Sequence, residues 1–324
     1  MRTPTIKEVA AKAGVGIGTV SRVLNNSPQI SEETRKKVLK AIKELNYVPN
    51  VAGKRLSQNK SNVIAIIVPV INHPYFSKLI EQVELEADLH GYSLLVTSSQ
   101  HRIEREKEVL KRLAQNEADG AIFVTHYEHD ESEFKNLAIV SIDRHLGSNI
   151  PIVTSNNYDA TRQGVEYLIE KGCKKIAYLG TKPSMASEVC LREQAYLDVM
   201  KEHGMTPFVI NESVSHGEEQ SIINQLFDHK EQFDGVFVSG CTLANLLYQR
   251  AVQTHFNIPN HVQIVSYDGD FLNEGAQRIT TLEQPLDLMA KRCVELLIKL
   301  INHKNDYQMK NIFECRFVKG DSTK

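Results

Sequence analysis

At 324 residues the chain has room for two or three domains, and its 41% hydrophobic and 24% charged content is that of a globular protein with sizeable cores. Five scattered cysteines without a C-x-x-C pair argue against a disulfide framework or a structural zinc site, and the longest apolar run, 63–71, is too short to span a bilayer. The net charge of −2 hides a division: the first 60 residues carry 12 basic and 4 acidic side chains, the remainder 26 and 36. A basic head on an acidic body suits contact with a polyanion, although a solvated helix face bearing Lys36, Lys37, Lys40 and Lys43 would account for the same charge. No leader of signal-peptide or anchor type is visible, so a reducing cytoplasm is the expected location and no membrane contact is expected.

The head opens on Thr5-Ile-Lys-Glu8, the spacing of a capping box, in which Thr5 accepts from an early helical N–H and Glu8 reaches back to the cap. Ile6, Val9, Ala10 and Ala13 then mark one face of a helix that Gly14 ends. A second short helix begins two or three residues later, with Val20, Val23 and Leu24 apolar and Thr19, Ser21, Arg22 and Asn25 polar. Two helices joined by so tight a glycine turn predict a helix-turn-helix. A third, capped by Ser31, supplies Val38, Leu39, Ile42 and Leu45 as the last wall of the core.

Beyond residue 61 apolar runs alternate with helical stretches. Runs at 63–68, 93–97, 121–124, 139–142, 176–179, 236–238 and 262–267 predict strands; helices are predicted near 76–90, 104–116, 160–171, 188–203 and 242–255. Glycines stop helices just before strands at Gly91, Gly172 and Gly204. This βαβ rhythm predicts doubly wound parallel sheets, and about ten strands suit two sheets better than one. No dinucleotide or nucleoside-triphosphate fingerprint, nucleophile elbow or paired metal-ligand motif is present, so no catalytic residue, metal or cofactor is expected and the chain is read as a non-enzyme.

The run Ile6-Lys-Glu-Val-Ala-Ala-Lys-Ala-Gly-Val15, then Thr19-Val-Ser-Arg-Val-Leu-Asn25 and Leu45-Asn-Tyr-Val-Pro-Asn50, resembles the head of the LacI/GalR family of bacterial repressors. The resemblance continues more loosely through Pro69-Val-Ile-Asn-His-Pro-Tyr-Phe76, Ala118-Asp-Gly-Ala-Ile122, Ile142-Asp143, Lys175-Ile-Ala-Tyr-Leu-Gly180, Ser266-Tyr-Asp268 and Thr280-Thr-Leu-Glu-Gln-Pro285. It implies an all-α helix-turn-helix domain at 1–49, a hinge at 50–60, and a periplasmic-binding-protein-like α/β core at 61–324. The core would have one lobe at about 61–157 and 286–305 and a second at about 158–285 and 306–324. Crossovers are expected near 156–159, 283–287 and 303–310.

The resemblance also implies functional residues. Thr5, Gly16, Ile17, Gly18, Thr19, Ser21, Arg22 and Asn25 would meet DNA, with Ile17, Gly18 and Arg22 facing base edges and Thr19, Ser21 and Asn25 facing phosphates. Asn50, Gly53 and Leu56 would belong to the hinge, Leu56 as a minor-groove wedge. Gly16 and Gly18 depart from the family pattern, and Gly18 offers no side chain to read with, which leaves that base to an Ile17 contact with a thymine methyl and to shape. In the core, Phe76 would be a stacking platform, Arg192 a bidentate clamp, and Asp143 and Asp268 acceptors for sugar hydroxyls. Gly240-Cys241 replaces the more usual Asn-Asp, so Thr242 is the candidate to supply that polar contact, and Cys241 is read as a small buried residue with no basic partner apparent.

The function implied is a homodimeric repressor on a palindromic double-stranded DNA operator, controlled by a sugar or sugar-phosphate effector acting as inducer or corepressor. Alternatives are a global catabolite regulator answering to a phosphoprotein partner, a sugar-binding transport protein, and, most weakly, a sugar-processing enzyme.

Overall fold

The computed structural model describes residues 4–24, 27–47, 60–183, 185–213, 217–229, 233–254, 256–268 and 279–324, and the chain divides into two compact units, Met1–Lys60 and Ser61–Lys324. In the smaller unit α1 (Ile6–Ala13) starts at the capping box: the Glu8 N–H donates to Thr5 Oγ1 at 3.4 Å and the Thr5 N–H to Glu8 Oε2 at 2.7 Å. It ends at Gly14, whose φ of 68° is a left-handed conformation that costs glycine little. Next come α2 (Ile17–Leu24) and α3 (Glu32–Leu45), the latter capped by Ser31, whose Oγ accepts the Thr34 N–H. Val9, Ala10, Val20, Val23, Val38 and Ala41 meet in a core closed by Tyr47, each fully buried valine contributing roughly 2 kcal/mol of transfer free energy. Leu39, expected in this wall, is instead 51% exposed. Val38, Ala41, Ile42 and Leu45 form the i, i+3, i+4, i+7 stripe, and Leu39 stands about 100° from its leading residue.

In the larger unit the first sheet contains β1 (Val63–Val68), β2 (Ser93–Ser98), β3 (Gly120–Phe123), β4 (Ile139–Ile142), β5 (Ile152–Ser155) and β11 (Lys310–Phe313). Its order is β11-β5-β4-β3-β1-β2, all pairings parallel. Along β1, Ile64, Ile66 and Val68 enter the core beneath α4 (Pro74–Leu89) and α10 (Leu286–Ile301), while Ala65 and Ile67 face α5 (Ile103–Ala114). A strand buried on both faces needs such a continuous apolar run.

The second sheet contains β6 (Ile176–Thr181), β7 (Phe208–Glu212), β8 (Gly235–Val238), β9 (Gln263–Tyr267), β10 (Thr280–Glu283) and β12 (Arg316–Val318), in the order β12-β10-β9-β8-β6-β7. Only β12 runs antiparallel to its neighbour. α6 (Asn157–Glu170) and α7 (Cys190–Glu202) cover one face, α8 (Gln220–Asp228) and α9 (Cys241–Gln253) the other. Gly164 lets α6 lie close to the sheet, because a Cβ there would come within 2.7 Å of the Phe237 ring.

The chain passes between lobes from β5 to α6, from β10 to α10, and from β11 to β12. The third passage differs from expectation. β11 pairs with β5, so 306–313 belong with the first lobe and the return falls between Phe313 and Arg316. Asn311 holds the strand there, donating its side-chain amide to the Ile152 carbonyl at 3.2 Å and accepting from Arg292 at 2.8 Å.

Candidate functional site

In α2, Val20 and Val23 point into the three-helix core, which leaves Gly18 and Arg22 exposed on the opposite side and Ile17 exposed at the flank, one turn before Val20. Ile17 is 45% exposed, so its apolar side chain is free to meet a partner. A Cβ built on Gly16 or Gly18 would meet no atom within 4 Å, so neither glycine is required by packing. Gly16 opens the helix, its carbonyl accepting from Thr19 at 2.9 Å and Val20 at 3.2 Å. Thr19 and Ser21 are half-buried beside this face, and Thr5 is engaged as the α1 cap. Asn25, Asn50, Gly53 and Leu56 lie outside the described residues.

The second site is a cleft of about 530 Å³ between the lobes, and Phe76, Asp143, Arg192, Thr242 and Asp268 all line it. Phe76 sits in the first turn of α4, its ring 4.9 Å from His73 and 5.3 Å from Tyr75. Asp143 and Asp268 follow the ends of β4 and β9 with left-handed φ values of 59° and 76°, a conformation that aspartate tolerates better than most residues. The Thr154 hydroxyl donates to Asp143 Oδ1 at 2.6 Å. Asp268 accepts the Gln284 amide and faces Arg192 Nη1 at 3.6 Å. Burial raises the Asp268 carboxyl above its usual range, an effect that Arg192 only partly offsets.

Arg192, in the first turn of α7, is 3% exposed. Its Nε donates to Asn157 Oδ1 at 2.7 Å, its Nη1 to the Ser239 carbonyl at 2.6 Å, and its guanidinium lies 3.5 Å from the centre of the Tyr267 ring. Despite burial, the Asp268 carboxylate holds the guanidinium pKa above its ordinary value. Thr242, at the start of α9, makes a 2.8 Å hydrogen bond with His73 Nε2 across the cleft. The same imidazole stands 3.8 Å from Cys241 Sγ, so a basic partner invisible in the sequence is present. Burial nevertheless pushes the Cys241 thiol up to about 12, which keeps it protonated at neutral pH.

Several lining groups escaped the sequence reading. Arg144, next to Asp143, is 8% exposed and donates to the Thr125 carbonyl at 2.9 Å and to Ser187 Oγ. The Tyr75 hydroxyl and Gln284 Oε1 are buried with no hydrogen-bond partner among the described residues. Gln284 sits inside a quoted motif, and Arg144 follows one, so adjacency was the available signal; Tyr75 had none beyond its neighbour Phe76. His129 does not line the cleft; its fully buried ring packs against Phe123 and Phe134 and bonds Glu106 at 2.8 Å and Glu133 at 3.2 Å.

Residues 5–50 match the profile of bacterial regulatory proteins, lacI family, and residues 165–323 that of a periplasmic binding protein-like domain. The chain is 34% identical to the ribose operon repressor of Halalkalibacterium halodurans over 93% of its own length and 91% of that relative. It is 32% identical to the sucrose operon repressor of Streptococcus mutans over 93% of each. The lac repressor dimer bound to operator and the anti-inducer ONPF shares its fold, with a TM-score of 0.86 over 99% of both chains at 22% identity. A helix-turn-helix head followed by a two-lobed receptor defines a class of ligand-controlled, DNA-binding transcriptional regulators. The chain belongs to the lacI family of bacterial regulatory proteins.

Proposed function

We propose that the protein represses a carbohydrate-utilisation operon, acting in the cytoplasm as a homodimer on a palindromic operator under the control of a sugar or sugar-phosphate effector. The observation that carries the effector class is the cleft. Two carboxylates and two guanidiniums converge from both lobes beside an aromatic ring, and two buried polar atoms, Tyr75 Oη and Gln284 Oε1, await a partner. A sugar supplies paired hydroxyls for the charged planar groups and an apolar C–H face for Phe76. Asp143 and Asp268 accept from hydroxyls, Arg192 donates, and Thr242 adds a polar contact at the α9 end. Carbohydrate-operon names among the relatives support the same reading.

On the DNA side, Ile17 and Arg22 read base edges in the major groove, while Thr19 and Ser21 face phosphates. Asn25, Asn50, Gly53 and Leu56 keep the roles that the family resemblance implies. An effector acts by preferring one lobe arrangement, and the sign of that preference makes it inducer or corepressor.

The test is fluorescence anisotropy on a palindromic duplex selected from random sequence, titrated with D-ribose, sucrose and their phosphates, with thermal shift in parallel. The reading expects operator affinity to fall steeply with salt, and one sugar class both to raise the melting temperature and to change operator affinity. Absence of any preferred palindrome sinks the repressor, and a melting temperature indifferent to every sugar sinks the effector class.

A further inference from the structure

One side chain that does not line the cleft touches both the clamp and the passages between lobes. Tyr267, the last residue of β9, is wholly buried, and its ring lies beneath the Arg192 guanidinium at 3.5 Å. Its hydroxyl is 2.8 Å from Ser155 Oγ, where the chain leaves the first lobe, and 3.1 Å from Cys315 Sγ, where it returns to the second. These two passages are also tied to each other. The Asn156 N–H donates to the Phe313 carbonyl at 2.9 Å, and the Cys315 N–H donates to Asn156 Oδ1 at 2.9 Å.

We infer that Tyr267 is the positioning residue that relays the placement of Arg192 to the first and third passages between the lobes; its regulatory meaning rests on the proposed effector cleft. The chemistry of the two hydroxyl contacts is unequal. A phenol has one proton, so it donates to one neighbour while accepting from the other, and a thiol is the weaker partner in either sense. The Ser155 contact is therefore the anchor and the Cys315 contact the one that yields when the guanidinium moves and the ring tilts with it. An effector that draws on Arg192 loosens or tightens the third passage without touching it.

Hydrogen exchange of the full chain, free of ligand and DNA, tests the relay. In Tyr267→Phe, which keeps the ring, the Asn156 and Cys315 amides should exchange about five-fold faster or more, the effect of one or two lost hydrogen bonds on local opening. Arg192→Lys, which removes the planar stack, should accelerate the same amides, whereas Cys315→Ser, with a stronger partner for the phenol, should slow them. Amides of β1 and β3 should stay as in the wild type. Unchanged exchange at Asn156 and Cys315 in Tyr267→Phe overturns the relay, as does acceleration spread evenly over both lobes, which marks a purely structural tyrosine. Cys315→Ser keeps the test decisive if Tyr267→Phe folds poorly, because faster exchange in that variant contradicts the proposed hierarchy. None of these readouts involves a sugar, so an indifferent sugar screen with these shifts intact would remove the effector class and leave the relay standing.

Discussion

Arg192 reaches Asn157 with a 2.7 Å hydrogen bond, and Asn157 in turn donates to the Thr154 hydroxyl at 3.1 Å, whose own proton goes to Asp143. The principal cation of one lobe and a carboxylate of the other are thus connected through the first passage between the lobes before any ligand arrives.

Arg192→Ala should therefore cost about 3 kcal/mol of stability, since it strands the buried Asp268 carboxylate without its counter-charge. Chemical denaturation reads the loss. Operator affinity should persist while the response to effector disappears; a variant that still answers the effector would remove Arg192 from the site.

Tyr75→Phe should have effects of opposite sign. In the ligand-free protein its hydroxyl is buried and unpaired among the described residues, a state that costs about 1–3 kcal/mol. Removing it should raise the melting temperature of the free protein and weaken effector binding. If both quantities fall together, the hydroxyl has a partner in the empty cleft.

His129 sets a pH dependence. Burial pulls its imidazole pKa down, but the hydrogen bonds its ring donates to the Glu106 and Glu133 carboxylates, with their charge, outweigh burial, and the net shift is upward from 6.5. The folded protein thus binds this proton more tightly than the unfolded chain. Its contribution to stability is complete below the unfolded pKa and is lost as pH rises through the raised folded value. Denaturation midpoints followed from about pH 6 to 9 should decline in the wild type, and His129→Gln should flatten that decline. An equal decline in both would assign the slope to other groups.

Gly18→Ala should stabilise α2 by up to about 1 kcal/mol, because the added methyl meets nothing and glycine, here in the first turn, is the poorer helix former. Gly18→Gln should shift or broaden the preferred operator by giving a silent position a reader. An unchanged preference in a binding selection would show that α2 does not face the bases at this residue.

Much of this was legible in the sequence because its causes are local. The Thr5–Glu8 cap, Gly14 and the Val9, Val20 and Val38 positions depend on neighbours a few residues away, and 63–68 reads as a strand because both its faces are buried. Leu39 was misplaced because one residue off the helical stripe is a third of a turn. The apolar-run pattern does not mark β5, β7, β10, β11 or β12, which are three to five residues long; β7, β11 and β12 are half-exposed, while β5 and β10 are buried but only four residues long and carry Thr and Ser or Glu among their apolar residues. Missing β11 moved the third passage. The five cleft residues reached by resemblance line one cavity, while Arg144, Tyr75 and Gln284 depend on which backbone segments meet across the lobes, a tertiary fact that adjacency only hints at.

The sheet orders β11-β5-β4-β3-β1-β2 and β12-β10-β9-β8-β6-β7 follow one winding through their first five strands in chain order, and only the last strand differs, parallel in the first sheet and antiparallel in the second. Asp143 and Asp268, each following the fourth strand of its own sheet with a positive φ, are therefore counterparts. The cleft is thus walled by two lobes of common plan, each placing a carboxylate at the corresponding corner. The two carboxylates nevertheless share one line of polar contacts through Arg192, Asn157 and Thr154, so a substitution at either aspartate reaches the opposite corner as well.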